Sequence, residues 1–338
     1  MWFAVLVVAA LGAEIQADLH TDTPTQLHRN GVGLDAPTGL EAGLVALRAG
    51  GTNVAVEVLW PPRNAKDPSA YVDMLLGLVE ENDRRLDAVA IARTPAEARA
   101  VADAGGVALV LALEGAQGLD AATPGDWRAS LARLEARGLQ MVGLTWSFSN
   151  RFAGSSGDSG QGLTDDGRAL VAQLAKDGVI VDLSHASRAT TLDVCGASKV
   201  PVIASHSDSY AVHANARNLT DEEIRCIAST GGVIGVNFHA TFVGGTRDVK
   251  AVADQADAIA RIGGFESVAL GSDFDGMIKV PAGLEDASHL PALWAELRSR
   301  GWTDAQIRGM RGENFLRVWE AVEHAAAEAE PRKQAGER

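Results

Sequence analysis

Cysteine is nearly missing from this chain: among 338 residues it has only Cys195 and Cys226, and neither stands in a C-x-x-C pair. That is too few for a disulfide framework, so the two read as core thiols, a single bridge between them being the other reading. Basic residues are also in deficit, 30 Lys and Arg against 44 Asp and Glu, which leaves a formal net charge of −14. Such a surface repels phosphate backbones and anionic membranes and argues against nucleic acid as a partner. The apolar opening, MWFAVLVVAALGA at 1–13, is too short to span a bilayer and gives no firm sign of membrane attachment. It fits the h-region of a secretory signal with A-L-G at 10–12 as a cleavage site or, since no Lys or Arg precedes it, a lead-in segment. The first reading implies a secreted or periplasmic protein, the second a cytoplasmic one.

What is present describes a buried globular enzyme: 46% apolar residues, 22% charged residues and 36 glycines. Short apolar runs alternate with longer stretches of helical periodicity, the pattern of βαβ units on a parallel sheet buried on both faces. The runs are EIQADLH (14–20), NVAVEVLW (53–60), VALVLALE (107–114), LQMVGLTW (139–146), GVIVDLSH (178–185), PVIASH (201–206), GVIGVNF (232–238) and SVALGSD (267–273). Helices are expected at 40–49, 69–87, 95–104, 127–137, 165–176, 189–197, 221–229, 250–262, 287–300 and 313–327. Thr220 and Thr303 are placed to open two helices as N-caps. The expected fold is α/β, a single (β/α)8 TIM-type barrel over residues 14–328, with a charged, flexible tail at 329–338.

Most of these runs end at a side chain able to bind a metal or a substrate: His20 and Asp22, Glu114, His185, His206 and Asp273. Barrels of this kind carry their chemistry at the C-terminal ends of the strands. His20 and Asp22, two residues apart in extended chain, offer an imidazole and a carboxylate to one ion. Glu114 closes an apolar strand, where a lone carboxylate is costly to bury without a cation or donor. His185 and His206 lie one βα unit apart and can share a second ion. Glu114 between the two sets then bridges a pair of divalent ions roughly 3.5 to 4 Å apart, with a water whose pKa falls toward ~7. Mixed N and O ligands favour Zn²⁺, with Mn²⁺, Fe²⁺ or Co²⁺ as substitutes.

Taken in order, DLHTD (18–22), LEG (113–115), DLSH (182–185), SHS (205–207), RN (217–218), GSDFDG (271–276) and GENFLRV (312–318) make the chain resemble the membrane dipeptidase family of the amidohydrolase superfamily from about residue 15 to about residue 320. The resemblance implies two zinc ions, one on His20, Asp22 and Glu114, the other on Glu114, His185 and His206. It implies Asp273 as the acid and base, and Arg217 as the grip on the free C-terminal carboxylate of a dipeptide with L or D stereochemistry there. In one place the chain departs: LTWSFSN puts Trp146 where many of these dipeptidases have a histidine that contacts the scissile carbonyl. An indole N–H can donate one hydrogen bond but cannot become a cation.

Blander readings stand beside these. A single buried His or Asp is more often a hydrogen-bonded core group than a ligand, and Arg217 could cap a helix or pair with an acid. Asp275 reads as orienting backbone or a ligand rather than reacting, His213 as structural rather than lining the pocket, and His28, His239, His289 and His324 have no ligand spacing. The competing functions are a metal-dependent hydrolase of another small amide or lactone, with Trp146 marking the altered pocket, and a non-catalytic binding protein on the same barrel. A homodimer is compatible with either.

Overall fold

The computed structural model describes residues 12–120, 126–158 and 160–329. Its strands are β1 (Ala17–Thr21), β2 (Val54–Leu59), β3 (Val89–Ile91), β4 (Val107–Leu113), β5 (Leu139–Gly143), β6 (Ile180–Asp182), β7 (Ile234–Val236) and β8 (Val268–Leu270). Every pairing among them is parallel. Six form one curled sheet in the order β1-β2-β4-β5-β6, with β3 set against the start of β4, while β7 and β8 pair separately. Single bridges carry the pairing onward from Asp182 to Ile203, from Ala204 to Ile234, and from Phe274 back to Thr21.

The run at 201–206 therefore contributes bridges rather than a strand. Its backbone explains why: Ser205 N donates to Asp182 Oδ1 (2.8 Å) and His206 N to Ser184 Oγ (2.9 Å), so side chains take the donors a ladder would use. Strand β3 is the addition, three residues long and wedged between two helices, too short to register as an apolar run. The helices otherwise fall close to expectation, and Thr220 and Thr303 each complete a capping box with Glu223 and Gln306. Short helices at Thr23–Asn30 and Ala240–Val243 have no counterpart among the expected ones, while Asp304–Arg308 is the helix that Thr303 opens.

One apolar cluster gathers Ala17, Val54, Val110, Met141, Ile180, Ile203 and Ala269 from around the ring of pairings and joins them to Phe315 and Trp319 of the last helix, Asn314–Ala329. A larger cluster holds Leu75, Leu131, Leu170, Ile227, Ile259 and Leu293 of the surrounding helices against the strands. Gly235 and Gly271 let three segments meet: a Cβ on either would stand 1.9 or 1.8 Å from the Ser205 carbonyl oxygen. This close approach lies directly beneath His206. Cys195 and Cys226 are free thiols. Among the described residues no helix is long and apolar enough to cross a membrane. The opening apolar segment up to residue 11 and the tail from residue 330 lie outside the described residues.

Candidate metal centre

His20 belongs to β1, and Asp22 follows it at the N-cap position of the helix Thr23–Asn30. Asp22 makes no side-chain cap bond there, so its carboxylate stays free. Glu114 leaves the end of β4, and Gly115 after it turns with φ 86°, where a Cβ would meet the Gln117 amide at 2.4 Å. His185 and Asp273 follow β6 and β8 in the left-handed region, with φ of 66° and 65°. For residues other than glycine this costs on the order of 1 to 3 kcal/mol, and such strain persists at sites where the surrounding structure dictates the direction of a side chain.

Glu114 Oε1 is the meeting point of these groups. It lies 3.1 Å from His185 Nε2, 3.7 Å from His206 Nε2 and 3.8 Å from His20 Nε2. His20 Nε2 is also 3.6 Å from Asp22 Oδ2, and the Nε2 atoms of His185 and His206 are 3.1 Å apart. Two sets, His20 with Glu114 and His206, and His20 with Asp22 and Asp273, bring ligand atoms within 4.8 Å of one another. All six side chains are buried, and His20 Nε2 has no hydrogen-bond partner among the described residues. Imidazole nitrogens and carboxylate oxygens gathered like this fit divalent transition metals.

The electrostatics point the same way. Burial pushes the Glu114 carboxyl well above its usual range, with the charge of His20 opposing and those of Asp22 and Asp273 adding to it. Burial, joined by Asp22, brings Asp273 up to about 7. Burial alone would lower His20, but Glu114, Asp22 and Asp273 raise it to about 10. His185 and His206 are held well below their ordinary value, first by burial and then by the charges of Arg217 and His20. Carboxylates crowded in a dry site, two imidazoles kept neutral, and a third whose proton answers those carboxylates leave a place that a bound cation can take over.

A further layer of polar residues fixes the imidazoles. Ser205 Oγ donates to Asp182 Oδ2 at 2.6 Å and lies 2.9 Å from His206 Nδ1 and 3.3 Å from His20 Nδ1. The hydroxyl has one proton and spends it on Asp182, so both rings bond to it through Nδ1–H. Each Nε2 then presents its lone pair to the centre. Ser147 Oγ lies 3.3 Å from His185 Nδ1 and ties that ring from the same side. Asn237 Nδ2 donates to Asp273 Oδ2 at 3.1 Å, and Asp18 Oδ1 takes the backbone N–H of His20 (3.3 Å) and of Ser272 (2.9 Å). None of Asp182, Ser205, Asn237 or Ser147 was singled out from sequence. The available signal was a polar residue inside an otherwise apolar strand, as in VDLSH and VIASH.

Arg217 lies beside this centre, buried, with no carboxylate within ion-pair distance among the described residues. Its Nη1 donates to Ser207 Oγ and its Nη2 to the His206 carbonyl, both at 2.8 Å, while Nε has no partner. The helix-capping and acid-pairing readings of Arg217 thus find no support. Trp146 stands with its ring centroid 4.9 Å from that of Trp60 and 6.2 Å from that of His185. A cavity of about 200 Å³ opens over Asp22, Glu114, His185 and Asp273, and both indoles line it. His239 lines it too, stacked on Phe242 at 4.1 Å, a place its sequence spacing gave no hint of. Asp275 binds the backbone N–H of Glu41 (2.8 Å) and Ala42 (3.2 Å) and the Thr23 hydroxyl (2.8 Å), an orienting role as expected. His28 packs on Tyr71, His289 pairs with Glu285 and Asp286, and His324 pairs with Glu328.

Residues 8–333 match the membrane dipeptidase family, Peptidase family M19. Dipeptidase verJ of Clonostachys rogersoniana is 35% identical over 297 residues, covering 82% of this chain and 74% of that protein. A metallo peptidase from Rhodobacter sphaeroides, solved with a phosphinate mimic of the dipeptide L-Ala-D-Ala, superimposes with a TM-score of 0.83 at 27% identity, over 92% of this chain and 99% of that one. The probable dipeptidase PvdM from Pseudomonas aeruginosa shares the fold, with a TM-score of 0.81 at 23% identity over 92% and 96% of the two chains.

Proposed function

Since the chain belongs to the membrane dipeptidase family, we propose that it is a zinc enzyme cleaving the amide bond of dipeptides with a free C-terminal carboxylate, whether the residue there is L or D. It is a metal-dependent dipeptidase on an α/β fold with a curled parallel sheet. The ring of parallel pairings supports reading that sheet as a (β/α)8 barrel. The observation that carries the proposal is the convergence of three buried imidazole Nε2 atoms within 3.8 Å of Glu114 Oε1, one of them without a hydrogen-bond partner among the described residues.

In this reading His20, Asp22 and Glu114 hold one zinc ion and Glu114, His185 and His206 the other. Two ions so held supply, when bound, an acidified water and a polarised amide carbonyl. Asp273 accepts the proton released in the attack and delivers it to the leaving amine; a carboxyl lifted to about 7 by burial suits both duties near neutral pH. Asn237 occupies Asp273 Oδ2 and leaves Oδ1 for that exchange. Arg217 spends two donors on the protein and keeps others, Nε among them, for the substrate carboxylate. Acceptance of a C-terminal D residue is supported by the L-Ala-D-Ala mimic bound to the Rhodobacter sphaeroides relative.

Elemental analysis and dipeptide hydrolysis test this together. Zinc-saturated protein should contain about two ions per chain, and Asp273→Asn should keep them while losing roughly 10²-fold or more in kcat. A stoichiometry below one, or metal content unchanged in Glu114→Gln and His185→Ala, overturns the assignment.

A further inference from the structure

The cavity above the metal centre joins the charged groups of that centre to a large apolar lining. Trp60, Trp146, Phe242, Met277 and Ile278 make up its apolar lining, and among the described residues no Lys or Arg lines that cavity. The two indoles brace each other at 4.9 Å, and the Trp60 N–H has no partner among the described residues. Arg29, an exposed residue, touches the Met277 sulfur without lining the cavity. A second cavity, of about 130 Å³, contains Arg217 together with Tyr210 and Asn218. His185 lines both cavities, so it stands between the apolar lining and the guanidinium.

This arrangement orients a dipeptide. With its C-terminal carboxylate on Arg217 and its amide carbonyl over Glu114 and His185, the chain of the substrate reaches the first cavity only with its N-terminal residue. The charged groups on that side, Asp22, Glu114 and Asp273, belong to the metal centre and its base and are not free to pair with a substrate side chain. We infer that the apolar lining of Trp60, Trp146, Phe242, Met277 and Ile278 seats the side chain of the N-terminal residue and selects one that is large and apolar, aromatic or branched aliphatic. The inference rests on the dipeptidase reading above and names the substrates that reading leaves open. A hydrophobic seat of this kind separates substrates by roughly 10- to 200-fold when a side chain fills it or leaves it empty, and rejects a charged one because burial strips its water.

The test is a series of free dipeptides, Xaa-Ala with Phe, Leu, Ala, Gly, Asp or Lys at the first position, assayed beside Ala-Phe on the zinc-loaded protein. Phe-Ala and Leu-Ala should exceed Gly-Ala, Asp-Ala and Lys-Ala by about tenfold or more in kcat/KM, and Ala-Phe should gain much less over Ala-Ala than Phe-Ala does. In Phe242→Ala and in Trp60→Ala the ratio of Phe-Ala to Gly-Ala should shrink severalfold. Equal or faster cleavage of Gly-Ala, Asp-Ala or Lys-Ala overturns the apolar seat, and a greater gain for Ala-Phe overturns its assignment to the N-terminal residue. Cleavage of no dipeptide in the series overturns this inference and the dipeptidase reading together, whereas cleavage without preference overturns this inference alone.

Discussion

Asn237 Nδ2 donates to Asp273 Oδ2 at 3.1 Å, while the Asn237 backbone N–H is itself held by Asp208 Oδ1 at 3.3 Å. The amide side chain thus comes from the end of β7 with its position already set, and it fixes one oxygen of the carboxyl proposed as general base. Its bond favours the ionised form of Asp273 and opposes the upward push of burial. Removing it in Asn237→Ala should therefore raise the pKa of Asp273 and move the acid limb of the kcat profile to higher pH. We expect kcat near neutral pH to fall by roughly tenfold with KM little changed and both metals retained. An unshifted acid limb with a general loss of metal would make Asn237 a structural residue only.

The Asp182 and Ser205 pair predicts a different phenotype. Because one hydroxyl receives Nδ1–H from both His20 and His206, Ser205→Ala unties an imidazole from each proposed ion at once. Outer partners of metal-bound histidines are typically worth 10- to 100-fold in affinity, so competition with a chelator should show both ions weakened by about that amount. Protein reloaded at high zinc should recover much of its turnover. If chelator titration matched that of the parent protein, the shared hydroxyl would have no part in holding the rings.

These two cases mark where sequence reading stops. His20, Asp22, Glu114, His185, His206 and Asp273 were legible because each ends an apolar run, and position along a strand is a local property. Asn237, Ser205 and Asp182 act through bonds to neighbouring strands, and nothing in GVIGVNF or VIASH says which ring nitrogen or carboxyl oxygen lies opposite. The same limit explains the sixth run: its Val and Ile promise a strand, yet its later N–H groups are taken by Asp182 and Ser184 side chains. Trp60 and Trp146 are far apart in the chain and become one wall only when β2 and β5 come round to either side of β4.

Glu57 offers a pH test of stability. It is buried in β2, neither carboxylate oxygen has a hydrogen-bond partner among the described residues, and burial together with Asp275, Asp18 and Asp22 pushes its carboxyl well above the ordinary 4.5. A raised carboxyl means the folded state keeps a proton that the unfolded chain releases above about 4.5. Its contribution to stability is full below that pH and declines as pH rises toward the folded value. Glu57→Gln cannot ionise and should escape this decline. The Tm of the variant relative to the parent should therefore be higher at pH 8 than at pH 5, and a difference independent of pH would show that Glu57 titrates alike in both states.

Arg217 decides whether the enzyme recognises a free carboxylate. Its guanidinium is buried, fixed by Ser207 and the His206 carbonyl, and lacks an ion-pair partner among the described residues, so an anion from outside is the group that would complete it. Charge-assisted hydrogen bonds to such a group are worth on the order of 1.5 to 3 kcal/mol. Arg217→Met should accordingly cost at least about tenfold in kcat/KM on free dipeptides. The same change should matter little for dipeptide amides, which have no carboxylate to offer and should already be poor substrates of the parent protein. Met keeps most of the length and none of the charge, so a selective loss isolates the carboxylate contact from packing. Equal losses on free and amidated substrates would instead assign Arg217 to the support of Ser207 and the His206 loop. The preference for a free C-terminus would then need another origin, and the hydrolysis of other small amides would become the stronger reading.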